Sequence, residues 1–412
     1  MGPSTPPPRP ADGAPSSGAP AVSPLDLNRP WLSERPVAWP VLPSVDLAPE
    51  QARSIRAFDL PMLLVRGRNG TVSVHLDRCP HRHVSFCTGG KPPQVEGSVF
   101  RCPYHFQSFD QSGRCVATLH GESGQAEHLV TLPAFEQDGF VFVVVSRQLF
   151  SRQQPGVGSA AALQQARDEL RMPAEYAREL SDTTAVDCLH LFEYRYPIGS
   201  WPVVITSGID HTHGFHVHGI AKAVHRVRRW LGQETLSGMH MVCDDGEHSV
   251  LVTYAQYRES LQAYWKVGGP PNLWLNKLDH GLYIAVLFVP DDAGSTTMRG
   301  CLYVSGQWKL LLENPAMLAS LRELSIHNSV EDQPFIESQM ESLADGRIPV
   351  GNASVNDAPV YRYFRYLEQI TGTPVPFHDK PHAIDLLRQW DGAGSGAVEV
   401  PAAGSTAGPL SS

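Results

Sequence analysis

The sequence predicts an α+β chain: a small all-β domain followed by a larger domain in which helices lie to one side of an antiparallel sheet. Three observations predict it. Short β-rich runs fill the stretch from Pro36 to Ser146, residues alternate between apolar and polar near position 192, and helical periodicity returns only after position 315. In the first stretch, Met62 to Val65 and Val72 to Leu76 flank Arg68-Asn69-Gly70, a hairpin signal whose turn suits positive φ. Phe140 to Val145 reads as a buried strand. Residues 159–172 are rich in alanine and leucine and predict a helix near a domain junction. Phe192, Tyr194, Tyr196 and Ile198 then alternate with polar neighbours as a half-buried strand does. Further strands are expected at Val250 to Tyr257, Leu282 to Val289 and Cys301 to Val304, and helices at Ala316 to Ser325 and Phe335 to Leu343.

The resulting organisation is a tail at 1–25, an all-β domain at 36–147, an α+β domain at 148–390 and a second tail at 391–412. Both tails are proline, alanine, serine and glycine with little to bury, so ordering entropy is expected to leave them mobile. A chain of 412 residues has room for two or three domains of ~150 residues. Its net charge of -9 offers no general basic surface for phosphates, which argues against a nucleic-acid partner. The apolar runs fall well short of the ~18 residues that a membrane span needs. Seven scattered cysteines do not resemble a disulfide framework, and no charged stretch precedes an apolar one at the N-terminus. A reducing, cytoplasmic setting is the expectation.

Two clusters of chemistry-bearing residues stand out. In the first, Arg78-Cys79-Pro80-His81 is followed by Cys102-Pro103-Tyr104-His105. One Cys-x-His and one Cys-x-x-His on two loops supply two thiolates and two imidazoles, the ligand set of a [2Fe-2S] cluster with thiolates on one iron and imidazoles on the other. A structural zinc site uses the same residue types and remains the alternative. In the second, Asp210, His211, His213, His216 and His218 crowd nine positions. A ferrous site of two imidazoles and one carboxylate would use such residues and leave positions open for dioxygen. Histidines five apart diverge by about 140° on a regular helix, so a bulge or a helix end near Gly219 would be needed. A solvated histidine-rich helix, or a chance metal pair at His213 and His216, is the bland alternative.

The cysteine and histidine motif resembles that of Rieske proteins over about residues 38–147. Tyr104 stands where respiratory members carry a disulfide cysteine, so the oxygenase branch is the nearer match, and Cys87 and Cys115 read as buried thiols. There are two departures from the family pattern: His83 replaces a glycine, and Phe106-Gln107 replaces Gly-Trp. Together with Asp-x-x-His-x-x-x-x-His downstream, the chain resembles the Rieske non-haem iron oxygenases over most of residues 38–370. That resemblance implies a helix-grip catalytic domain, with His213 and His218 as iron ligands. It makes Asp210 the bridge between His213 and the partner subunit's His105. The carboxylate ligand would be Asp332, with Glu331 and Asp357 as fallbacks and a helix N-cap as the other reading of Asp332. Thr206-Ser207 replaces the Glu-Asn pair often found before Gly-Ile-Asp.

The resemblance also implies a terminal oxygenase that takes dioxygen and electrons from NAD(P)H, delivered through a flavin reductase or a ferredoxin, and assembles as a homotrimer. A small organic substrate would be hydroxylated, demethylated or oxidatively cyclised. Tyr254, Tyr257, Tyr264, Trp265 and Trp274 are the aromatic lining candidates, with plain core packing the weightier reading of each. An electron-transfer Rieske protein without catalytic iron remains the other reading.

Overall fold

In the computed structural model the described residues are 29, 31–118, 128–148, 159–170, 172, 180, 185–209, 213, 217–219, 239–241, 249–257, 261–268, 270–279, 281–345, 358–372 and 398–400. The first part is all-β. Its strands are β1 (Val37–Pro43), β2 (Gln51–Ala57), β3 (Leu60–Arg66), β4 (Val72–Leu76), β5 (Val95–Glu96), β6 (Val99–Arg101), β7 (Ser108–Asp110), β8 (Cys115–Ala117), β9 (Thr131–Leu132), β10 (Ala134–Gln137) and β11 (Phe140–Val145). They form three antiparallel sheets in the orders β1-β11-β10, β2-β3-β4-β9 and β5-β6-β7-β8. The expected hairpin is β3–β4, and Gly70 supplies the positive φ of 82° in its turn. Helix α1 (Ser159–Glu169) follows, three residues shorter at its C-terminal end than expected.

The second part is built on a six-stranded antiparallel sheet. Its strands are β12 (Asp187–Tyr196), β14 (Ser249–Tyr257), β15 (Leu261–Gly268), β16 (Leu273–Asp279), β17 (Leu282–Pro290) and β18 (Thr296–Val304), in the order β12-β18-β17-β16-β15-β14. A separate pair joins β13 (Met239–Met241) to β19 (Val398–Val400). Every residue of β17 is buried, as its unbroken apolar sequence requires of a strand covered on both faces. Helices α2 (Trp201–Ile209), α3 (Pro315–Asp345) and α4 (Ala358–Thr371) pack against this sheet and each other. Among the described residues no helix is long and apolar enough to cross a membrane.

Three expectations are corrected here. The helices at 316–325 and 335–343 are one 31-residue helix, α3, which runs through Pro334. Proline removes one helical hydrogen bond but does not end a helix whose flanking turns pack on a sheet. Asp332 therefore lies inside a helix and caps nothing. The strand at Cys301 begins five residues earlier, and Ile198 lies past the end of β12, 51 % exposed. The tails at 1–25 and 391–412 lie outside the described residues, apart from β19.

One apolar core runs through both parts. Trp39 of β1 stands edge-on to Trp201 at the start of α2, with centroids 5.2 Å apart, and edge-on to Phe58 as well. Asn272, fully buried, donates its side-chain amide to the carbonyls of Pro40 (3.0 Å) and Phe288 (3.1 Å). The β2–β3 turn holds Phe58 and Asp59 at φ 54° and 66°, a left-handed backbone that costs non-glycine residues about 1 kcal/mol each. Backbone bonds offset that cost: Phe58 N–H donates to the Pro290 carbonyl (2.7 Å) and Asp59 N–H to that of Asp291 (2.9 Å). A second, smaller core of Phe86, Phe100, Phe109, Leu63 and Val65 sits beneath the Cys79 and Cys102 loops.

Candidate metal centres

The two cysteine loops have one backbone design. In each, the cysteine N–H bonds the carbonyl five residues on (Cys79 to Val84, 2.9 Å; Cys102 to Gln107, 2.8 Å). In each, the fourth residue after the cysteine returns its N–H to the cysteine carbonyl (His83 to Cys79, 2.7 Å; Phe106 to Cys102, 3.1 Å). That fourth residue needs a left-handed backbone, and His83 and Phe106 adopt it at φ 56° and 57°. In the family that the sequence resembles glycine stands at these positions, and here His83 and Phe106 hold a backbone that suits glycine, at the cost of local strain. Buried Asp77 ties the first loop by accepting from Ser54 Oγ (2.7 Å), Ser85 Oγ (2.6 Å) and Phe86 N–H (2.7 Å).

The loops bring Cys79, His81, Cys102 and His105 together. The cysteines are buried, and the imidazoles stand edge to face with centroids 4.6 Å apart. A hydrogen bond from Cys79 pulls the Cys102 thiol down to about 6, helped by the Tyr104 and His105 N–H groups, while the same contact and burial push Cys79 up. His81 Nδ1 is buried and has no hydrogen-bond partner among the described residues. A buried ring nitrogen left so costs free energy that a bound metal would recover, and two thiols with two imidazoles fit the cluster's donor set. Around the tip, Tyr104 and Phe106 are 57 % and 52 % exposed. Cys115 is buried as expected, whereas Cys87 is half-buried, and burial pushes its thiol up to about 11.

The second cluster forms just past helix α2, whose last residue is Ile209. A helix-like hydrogen bond, from Val217 N–H to the His213 carbonyl at 2.8 Å, ties His213 to the residue just before His218. The His213 and His218 rings are 5.3 Å apart, at 73°. Asp332 of α3 faces both: its Oδ1 lies 3.4 Å from His213 Nε2 and 3.7 Å from His218 Nε2. One donor atom from each of the three residues lies within 4.8 Å of the others. Two neutral nitrogens and one carboxylate oxygen at that spacing fit the donor set of a ferrous ion with open positions. Asp210, His211, His216 and Asp357 lie outside the described residues.

Glu331, a fallback ligand in the sequence, has another position. Its carboxylate accepts from His218 Nδ1 (3.2 Å) and from Gly219 N–H (3.1 Å), and lies 3.2 Å from His327 Nε2. Burial opposes its charge, but those contacts outweigh it and hold Glu331 below the usual carboxylate range. Sequence reasoning missed this role, although the adjacent Glu331-Asp332 pair was the signal for it. Thr206 and Ser207 bond back to the carbonyls of Pro202 and Val204 (2.8 Å each), which keeps their hydroxyls within α2. Trp274 of β16, the one lining candidate with a described side chain, packs against Phe288 and covers Gly208, where a Cβ would lie 1.9 Å from its ring. It is core.

A family model of the Rieske [2Fe-2S] domain matches residues 38–132. The oxygenase component of dicamba O-demethylase from Stenotrophomonas maltophilia is 32 % identical over 108 residues, 26 % of this chain and 31 % of that protein. The large subunit of 2-halobenzoate 1,2-dioxygenase from Burkholderia cepacia is 25 % identical over 170 residues, 39 % of this chain and 33 % of that protein. The chain thus spans about a third of the length of these curated relatives. Solved structures resemble it over more of its length. Dicamba monooxygenase bound to dicamba superposes with a TM-score of 0.56 at 16 % identity, covering 82 % of this chain and 97 % of that one. The terminal oxygenase of carbazole 1,9a-dioxygenase from Nocardioides aromaticivorans does so at 0.56 and 18 %, covering 85 % and 97 %. At these identities the likeness is one of fold.

Proposed function

We propose that this chain, which carries a Rieske [2Fe-2S] domain and has the fold of Rieske terminal oxygenases, is itself the oxygenase component of a multicomponent system acting on a small organic substrate. The observation that carries this is the second cluster. An electron carrier has no use for two imidazoles and a carboxylate whose donor atoms converge within 4.8 Å.

In this reading Cys79, Cys102, His81 and His105 hold the cluster, and His213, His218 and Asp332 hold a ferrous ion. When bound, these groups supply electrons one at a time and a centre at which dioxygen is activated. The protein residues do the rest. The paired loops fix the four cluster ligands over a dry aromatic core. Asp332 keeps its carboxylate on the side where both imidazoles present Nε2. Trp274 and Phe288 seal the sheet beneath α2 against water. Exposed Tyr104 and Phe106 flank His105 and suit docking of another protein surface. We take those surfaces to be a reductase or ferredoxin, which brings electrons from NAD(P)H, and a second copy of this chain. In a ring of three copies, Asp210 would accept a hydrogen bond from the partner subunit's His105. Cys79 and Cys102 serve as cluster thiolates and not as a disulfide, which suits a reducing setting, and we take that setting to be the cytoplasm.

Dicamba and 2-halobenzoate, the compounds for which two of the relatives are named, are the first substrates to try. The test is oxygen uptake with NAD(P)H, a reductase and such a compound, with product identified. Uptake coupled to product is expected, and His213→Ala is expected to abolish it while the cluster's visible bands persist. Unchanged turnover in that variant would overturn the reading.

A further inference from the structure

The two carboxylates that end up beside His218 are consecutive residues of α3, and they address opposite nitrogens of one ring. Asp332 Oδ1 lies 3.7 Å from Nε2, and Glu331 Oε2 lies 3.2 Å from Nδ1. An ionised carboxylate only accepts, so in the neutral ring Nδ1 carries the proton, which leaves Nε2 with its lone pair facing Asp332 and His213. Glu331 is itself held from two further sides. Gly219 N–H donates to both of its oxygens, at 3.1 and 3.3 Å, and His327, one turn earlier on α3, lies 3.2 Å away.

We infer that Glu331 is a positioning residue that sets the tautomer and ring orientation of His218 and so raises the affinity of the three-residue cluster for a divalent metal ion. The inference rests on the metal-site reading of His213, His218 and Asp332. The Gly219 contact matters as much as the ring contact. It pins the backbone immediately after His218, so the imidazole is fixed by its own nitrogen and by its chain. Such outer carboxylates contribute about 10- to 100-fold to metal affinity.

The test uses the full chain with its [2Fe-2S] cluster intact and the second site stripped of iron, titrated with cobalt(II). Glu331→Ala is expected to weaken binding by about 10- to 100-fold and alter the cobalt d–d bands. Glu331→Gln, which still accepts one hydrogen bond, is expected to recover part of the loss. Nitrogen-15 spectra of the oxidised protein with the second site empty are expected to show His218 protonated at Nδ1 in the parent chain and mixed in Glu331→Ala. The cluster's visible bands report folding in every variant. Binding within about twofold of the parent, with the tautomer unchanged, would overturn the inference alone. A parent chain that takes up no cobalt would overturn the metal-site reading and this inference with it.

Discussion

The two candidate metal centres are built in opposite ways. The proposed cluster ligands come from two short loops that repeat one backbone pattern, each closed by its own hydrogen bonds, over a core of their own. The second site is assembled from distant pieces: a turn after α2 brings His213 and His218, and α3 brings Asp332 and Glu331. A self-closing loop tolerates change elsewhere in the fold, while an assembled site depends on how helices pack.

The largest expected effect separates the two directly. Cys102→Ala should abolish the cluster's visible bands while cobalt(II) still binds at the second site; loss of both would show that the centres are not independent. Next comes the acid response of the cluster side. His75 of β4 is buried, and burial lowers its imidazole to about 4 from 6.5. The unfolded chain takes up this proton near 6.5 and the folded one only near 4. The contribution to stability is therefore full above the unfolded value, falls as pH drops through that window, and levels off below the folded value, a loss of about 3 kcal/mol. Urea unfolding of the parent and His75→Asn at about pH 7.5 and 4.5, on either side of most of that window, checks this, and an equal loss in both would contradict it.

Gly208→Ala probes the assembled site. The new methyl would lie 1.9 Å from Trp274, so α2 or the ring must shift, at a cost of about 1–3 kcal/mol. Thermal unfolding and metal content should show lower stability and a depleted second site with the cluster retained. The smallest effect is a gain. Phe106→Gly relieves a left-handed residue whose side chain is 52 % exposed, and should stabilise the chain by about 0.5–1 kcal/mol. A loss of stability would mean that the ring's contacts outweigh the backbone strain.

The same contrast explains what can be read in advance. Cys79, His81, Cys102 and His105 are legible because their chemistry lies in two local motifs, as is the β3–β4 hairpin with its Gly70 turn. Asp332 emerges only by resemblance, since nothing local distinguishes a carboxylate inside a helix. Glu331 reads as a spare ligand because a second acid beside a ligand looks like one until His218 Nδ1 is seen against it. Pro334 reads as a boundary, although packing carries α3 through it. The core shared by Trp39 and Trp201 joins residues far apart in the chain and leaves no periodic trace.

The central claim is that one chain holds both a cluster and a separate ferrous site. Iron and acid-labile sulfide analysis of the reconstituted chain tests it most directly. About three irons and two sulfides per chain are expected, falling to about two and two in Asp332→Ala with the visible spectrum unchanged. Two irons in both proteins, or zinc in place of iron and sulfide, would contradict it.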